Sequence, residues 1–144
     1  MPEITVLRSI WIDATRERVW QAVTDENMLS QWYSPGSPWE IPELKVGEPA
    51  FFHHSPNAYH EGTEVVTMEA TIDALDLLSR FSLRWVDEPT TVTSFILKEE
   101  DGGTLVTLTE TGYDTEEDAK LTEEGYQLSL ENLQAFVDGR SLPH

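Results

Sequence analysis

The chain of 144 residues contains no cysteine. That excludes disulfide bridges, thiolate nucleophiles and cysteine-ligated zinc, and leaves packing to supply stability. Basic side chains are scarce as well: three lysines and six arginines face 27 aspartates and glutamates, for a formal charge of −18. A surface of that sign repels phosphate backbones and anionic lipid headgroups, so neither nucleic acid nor a membrane is expected as a partner. Arg80 and Arg84, a basic pair close in sequence, are too few to change this. The acidity fits a solvated surface better than a dock for a basic protein. No apolar run approaches the roughly 20 residues of a membrane-crossing helix. Met1-Pro2-Glu3 also lacks the basic-then-apolar layout of a signal peptide, so a cytoplasmic protein is expected. Equally missing are a Gly-x-Ser-x-Gly elbow and a phosphate-cradling glycine loop ahead of a lysine. An enzyme built from this chain would work by acid–base steps, and no cofactor is expected.

What is present suits one domain over residues 1–144, with a single core. Ile4 to Ile12 alternates, with Val6, Arg8, Ile10 and Ile12 opposite Thr5, Leu7, Ser9 and Trp11, and reads as a first strand. Asp13 or Thr15 can cap a helix carrying Val19, Trp20 and Val23, and Asp25 can cap a second with Met28, Leu29 and Trp32. Ser34-Pro35-Gly36-Ser37-Pro38 then breaks helix. From Trp39 to Gly112, short stretches rich in β-branched and aromatic residues are punctuated at Val46-Gly47-Glu48, Ser55-Pro56-Asn57, Glu88-Pro89 and Asp101-Gly102-Gly103, which predicts a meander of strands. Alternation turns Val66, Met68, Ala70, Ile72 and Ala74 inward, and likewise Phe81, Leu83 and Trp85 against an outward Arg80, Ser82 and Arg84. Phe95 and Leu97 are placed inside, as are Val106, Leu108 and Glu110. Thr115-Glu116-Glu117-Asp118 suits the positive end of a helix dipole, and the helix runs to about Asp138 with Tyr126, Leu130, Leu133 and Val137 on one face. The sum is an α+β fold in which a curved antiparallel sheet wraps a long C-terminal helix.

Local strings carry a family resemblance along nearly the whole chain. They are Ile12-Asp13-Ala14-Thr15-Arg16-Glu17-Arg18-Val19-Trp20-Gln21-Ala22-Val23-Thr24-Asp25 with Leu29 and Gln31-Trp32-Tyr33, then Leu44-Lys45-Val46-Gly47. Gly102-Gly103-Thr104-Leu105-Val106-Thr107-Leu108-Thr109 and Gly125-Tyr126 ahead of Leu130-Glu131-Asn132-Leu133 complete the set. The chain resembles the START-like (SRPBCC) superfamily, in the branch of the C-terminal domain of activators of the ninety-kilodalton heat-shock-protein ATPase. Thr15 stands where relatives often have proline, Glu48 where a second glycine is usual, and Tyr126 where many have tryptophan. The resemblance implies a helix-grip fold. It also implies tasks that differ between members: many look like binders of small hydrophobic molecules, and some are cyclases or hydrolases.

Trp32, Tyr33, Trp39, Phe52, Trp85, Phe95 and Tyr126 are more aromatic rings than a small core requires, and rings with polar tips suit a concave site for an apolar ligand. Met68, Phe81 and Leu130 are expected around them, and His54 and Tyr59 as polar contacts at the mouth. Trp20 is assigned to the core. Glu110, on the inward side of the last strand, needs a partner if buried and is the one weak catalytic candidate; fraying toward solvent is the competing account. His53, His54 and His60 with Glu61 and Glu64 invite a metal reading. It is set aside because neighbouring strand residues point to opposite faces and no i, i+4 histidine pair appears.

Three functions follow, in order. The first is a domain binding a small apolar or amphipathic molecule. The second is an acid–base enzyme of cyclase, hydratase or hydrolase type in the same cavity. The third, a chaperone-activator-like interaction domain, ranks last because this short chain shows no extra partner-binding domain. A homodimer through a strand edge or the acidic helix is left open.

Overall fold

A strand buried on one side must alternate, and β1 (Ile4–Ile12) does: Val6 and Ile12 are buried while Thr5, Leu7, Ser9 and Trp11 are exposed. The computed structural model describes residues 4–33, 37–54, 66–86, 90–113 and 115–144. After β1 come two short helices, α1 (Arg16–Thr24) and α2 (Glu26–Trp32). Thr15 caps α1 by accepting from the Arg18 N–H, and the Asp25 carboxylate caps α2 by accepting from Asn27 and Met28. The meander follows as β2 (Trp39–Glu40), β3 (Pro49–His54), β4 (Val66–Asp76), β5 (Arg80–Trp85), β6 (Val92–Glu100) and β7 (Gly103–Tyr113), before the long helix α3 (Glu116–Asp138). The strands form one antiparallel sheet in the order β1-β7-β6-β5-β4-β3-β2. Consecutive strands of the meander are neighbours, and β1, separated from it by α1 and α2, pairs at the far edge with β7. The helix-grip α+β architecture expected from the sequence is the one observed.

Helix α3 buries Ala119, Tyr126, Leu130, Leu133, Ala135 and Val137, a stripe at helical spacing. Its closest strand is β1, where Arg8 reaches Glu123 at 2.7 Å. That pair is partly exposed and is worth at most about 1 kcal/mol. More decisive are side-chain bonds to carbonyls near the helix ends. Ser129 Oγ donates to Tyr33 O at 3.0 Å and Asn132 Nδ2 to Trp32 O at 3.1 Å, tying α3 to the end of α2. Arg18 Nη2 donates to Val137 O at 2.6 Å, which joins α1 to the other end of α3. Gly139, at φ +75°, ends the helix, and the Arg140 N–H returns to Ala135 O at 2.8 Å. No helix of the described residues is long and apolar enough to cross a membrane.

Two strand expectations need correction. Alternation in β4 was extended through Ala74, but the register shifts between Ile72 and Ala74, so Leu75 lies opposite Phe81 and packs on the core. A bulge inserts one residue and reverses parity beyond it. Ser82 faces away from the core as expected, yet it is fully buried: its hydroxyl bonds Ser94 Oγ at 2.7 Å and accepts from Arg80 Nε at 3.0 Å. The turns at 55–57 and 88–89 and the break at 34–36 lie outside the described residues.

The β6–β7 hairpin turns on Asp101 at φ +48° and Gly102 at φ +78°, the left-handed pair that a two-residue loop requires. Gly103 answers to a different constraint. A Cβ there would lie 2.4 Å from the Ile12 carbonyl oxygen and 2.7 Å from the Trp11 ring. The ring can swing aside and the β1 backbone cannot. Gly103→Ala is therefore expected to destabilise by about 1–3 kcal/mol, the range of core overpacking. Thermal unfolding checks this as a fall of roughly 4 °C per kcal/mol; an unchanged midpoint would show that β1 and β7 separate freely at this end.

Candidate functional site

Alternation along β7 turns Val106, Leu108 and Glu110 inward, and all three are buried. A carboxylate in that position costs several kcal/mol unless donors surround it. Two hydroxyls do so: Thr93, directly opposite on β6, and Tyr126, from α3, both donate to Glu110 Oε1. Thr93 Oγ1 in turn accepts the Trp85 indole N–H at 2.8 Å, and it lies 3.4 Å from the Tyr126 hydroxyl. Glu110 is thus neither frayed nor wet. It anchors a polar chain running Trp85, Thr93, Glu110, Tyr126 across β5, β6, β7 and α3.

An aromatic cluster begins where that chain ends. Trp85 contacts Trp39 with ring centroids 5.9 Å apart, and Trp39 lies 4.9 Å from Phe52, its cross-strand partner. Tyr33 meets Trp39 edge-to-face at 5.2 Å and Phe52 at 5.4 Å. Trp32 touches Tyr33 at 5.7 Å and Phe95 at 6.1 Å, and Phe95 stacks on Phe81 at 6.5 Å. Edge-to-face pairs of this kind are each worth about 0.5–1.5 kcal/mol beyond area burial. The wall of the cluster is the two-residue edge strand β2, held to α2 by the Trp39 N–H on Ser30 Oγ at 2.8 Å and the Ile41 N–H on Glu26 Oε2 at 2.6 Å.

Indole donors in this protein are satisfied in three places: Trp11 on Glu100 O at 2.8 Å, Trp32 on Ala22 O at 2.7 Å, and Trp85 on Thr93. Trp39 differs from these three. Its ring is 5% exposed, and its Nε1–H is buried with no acceptor among the described residues.

The sequence-named residues Trp32, Tyr33, Trp39, Phe52, Trp85, Phe95, Glu110 and Tyr126 are brought together, with Phe81 and Leu130 in the core behind them. Met68, opposite Phe52 on β4, is half-buried at the periphery. His54 ends β3 with only its backbone described, and Tyr59, His60, Glu61 and Glu64 lie outside the described residues. His53 engages Thr67 Oγ1 at 2.9 Å and Glu40 Oε1 at 3.3 Å. Sequence reasoning missed Thr93, although the parity that placed Phe95 and Leu97 inside also places Thr93 there. A separate open groove of about 540 Å³ runs between Asp13–Arg18 and Val137–Asp138; no aromatic ring lines it, and Arg18 already donates to Val137 O.

Part of the Tyr33 ring reaches solvent, but its hydroxyl is enclosed. Burial is the main force pushing its pKa well above the ordinary tyrosine value; the Glu110 charge adds to this, and a hydrogen bond with Tyr126 opposes it. Tyr33 is therefore a neutral phenol at any physiological pH. Because the folded-state pKa is raised, the stability tied to this group is complete below about pH 10 and is lost as pH rises further, where the unfolded chain ionises and the folded one resists. In an ultraviolet absorbance titration, one of the four tyrosines should stay un-ionised until the chain unfolds. Tyr33→Phe should reduce the late absorbance change by one tyrosine and flatten the alkaline loss of stability; a late change of undiminished amplitude in the variant would assign it elsewhere.

Truncating the carboxylate gives a second test. Glu110→Ala leaves the Thr93 and Tyr126 hydroxyls without their acceptor and is expected to cost about 2–4 kcal/mol. Glu110→Gln keeps an oxygen acceptor and should cost less. Denaturant unfolding of the two variants measures the difference, and a stable Glu110→Ala would mean that the polar chain does not hold the helix.

Comparison with known proteins agrees with this geometry. The family model described as Activator of Hsp90 ATPase homolog 1-like protein matches residues 13–138. Protein MLL2253 from Mesorhizobium loti is similar in structure at 18% identity, over 96% of this chain and 100% of that one, with a TM-score of 0.77. The Aha1 dimer from Colwellia psychrerythraea is similar at 18% identity, over 93% of this chain and 96% of that one, with a TM-score of 0.72. CalU16 from Micromonospora echinospora is similar at 23% identity, over 94% of this chain and 75% of that one, with a TM-score of 0.68. At such identities the solved structures speak to fold alone. No curated protein sequence matches the chain. The family model spans most of the chain, from the residues before α1 to the last turn of α3: the chain belongs to the family of Activator of Hsp90 ATPase homolog 1-like proteins, with the START-like helix-grip fold.

Proposed function

We propose that the interior between the sheet and α3 binds a small apolar or amphipathic molecule that carries a hydrogen-bond acceptor. The observation that carries this reading is the Trp39 indole, a donor buried among rings with no acceptor among the described residues. A buried donor left unpaired costs about 1–3 kcal/mol, so its retention calls for an account beyond stability. A ligand carbonyl, ether or phenolate placed at Nε1 supplies one, while the surrounding rings provide the apolar contact that gives such sites most of their affinity. The wall that must yield is β2, the shortest strand of the sheet.

An acid–base reaction in the same space is the second reading, favoured by a carboxylate held against phenol groups. It needs the ligand to reach Glu110, whereas simple binding does not.

Flavone, a planar ketone, and flavan, the same skeleton without the carbonyl, separate these ideas. Flavone should raise the thermal midpoint and flavan should do so less, because a ligand bound only by the native state stabilises it by RT ln(1 + [L]/Kd). Trp39→Phe should weaken flavone binding about tenfold while leaving the apo protein as stable or more so, since the unpaired donor is gone. Equal effects of flavone and flavan, or a midpoint unmoved by either, would defeat the Trp39 reading. Turnover of a bound probe that is lost in Glu110→Gln with binding intact would favour the enzyme.

A further inference from the structure

The carboxylates of this chain are unevenly placed. Helix α3 alone carries seven of them and a single lysine. The convex side of the sheet across β5, β6, β7 and β1 is the opposite case. Its outward positions, from the row Arg84–Val92–Thr111–Thr5 to the row Lys98–Leu105–Trp11, are serine, threonine and apolar side chains with three cations, Arg80, Arg84 and Lys98. No aspartate or glutamate stands among them. The carboxylates that border this face among the described residues include Glu100 at the hairpin, Asp76 on β4 opposite Arg80, and Asp73 on β4, 3.6 Å from Arg84. Leu7 is 55% exposed on this face, with Trp11 and Ile96 at 38% each.

We propose that this face is where a second copy of the chain docks, sheet against sheet. Two bodies that each carry a charge of −18 repel, and contact through α3, exposed at Glu116, Glu117 and Glu124, would set carboxylate against carboxylate. This face brings three cations rather than a row of carboxylates to the contact, and Arg84 already has Asp73 3.6 Å away, so less like charge is pressed together. It also has the composition that interface cores favour: few charged groups, exposed large apolar side chains and a tryptophan. The hydroxyls of Ser9 and Thr107, 3.0 Å apart, already engage one of their two donors with each other, which lowers the desolvation penalty of contact. Two such faces stack at the roughly 10 Å spacing of aligned sheets.

Size sets the strength. Four strands about 4.8 Å apart and seven residues of about 3.4 Å rise span roughly 20 Å by 24 Å, a flat area of about 500 Å² per copy. A stable interface buries about 800 Å² per partner, so the dimer is a weak one that depends on concentration.

Its salt dependence distinguishes it from the alternative occupant. An acidic partner drawn to Arg80, Arg84 and Lys98, including α3 of another copy, would be released by salt. Two whole chains of like charge are instead brought together by it, because screening shortens to about 3 Å at 1 M. Sedimentation velocity should show the mass rising toward two chains with protein concentration, and more so in about 0.5 M than in about 0.05 M sodium chloride. Leu7→Glu and Ile96→Glu should each weaken the association at least tenfold. Leu121→Glu, which adds the same charge at an exposed position of α3, should change it less than twofold. Circular dichroism establishes that the variants remain folded. A monomer at every concentration and salt, an association that tightens as salt is removed, or a Leu121→Glu effect equal to that of Leu7→Glu would each overturn the proposal.

Discussion

A carboxylate cannot sit in an apolar interior without donors, and the placement of Glu110 makes this the constraint on which the rest of the fold turns. The donors come from different elements: Thr93 is supplied by pairing between β6 and β7, Tyr126 by the helix. Apolar contacts between α3 and the sheet tolerate sliding, because dispersion is short-ranged but not directional. A hydroxyl donating to a buried carboxylate oxygen does not tolerate it. The bond from Tyr126 therefore sets where along the sheet the helix stops. The turns of α3 that follow then bring Ser129 and Asn132 to the carbonyls of Tyr33 and Trp32. One polar requirement in the sheet thus propagates to the position of α2, and with it to the rings that α2 contributes.

The interior that results is graded. At one end lie the carboxylate and its hydroxyls; at the other lie Trp39, Phe52 and Tyr33 in mutual ring contact, with Trp85 belonging to both through its N–H and its ring. Such a gradient suits a molecule with one apolar body and a few polar atoms better than a purely hydrocarbon one. It also separates stability from recognition. The polar chain at Glu110 is satisfied by the protein itself, whereas the donor at Trp39 is not. A binding reading therefore rests on the edge strand rather than on the residue that first attracts attention as an acid.

Much of this was legible in the residues, and the limits have physical reasons. Period-two alternation identified Glu110, Phe95, Trp85 and Phe81 as inward, and helical spacing identified the Tyr126 and Leu130 face, because both periodicities follow directly from backbone geometry. Thr93 lay on the same parity and went unnamed, since a threonine in a strand carries no signal until its hydroxyl has a neighbour across the sheet. Leu75 was hidden by a bulge, which changes parity without a marker in the Ile72-Asp73-Ala74 string. The unpaired state of the Trp39 donor was not readable at all. It depends on which carbonyls of α2 and β3 fall near the ring, and those contacts exist only after the helices have docked.

The distribution of charge has the same origin as the grip. A helix lying on the concave face must present its other side to water, and acidic residues there cost nothing in packing, so α3 collects carboxylates on its first turn and its solvent side. The convex face is more open, although Ser82 and Ser94 on it are buried. Outward side chains on neighbouring strands stand about 5 Å apart, where two like charges directly opposite each other destabilise the sheet. The outward face of β1, β7 and β6 meets this constraint with serine and threonine, whose hydroxyls bond in pairs across strands, and with β-branched and apolar residues that fit the pleat. A strongly acidic chain is thereby left with one broad surface whose outward positions hold no carboxylate. On the proposed docking of a second copy, Leu7, Trp11 and Ile96 supply the apolar contact, and the negative charge carried elsewhere on the chain opposes it at low salt.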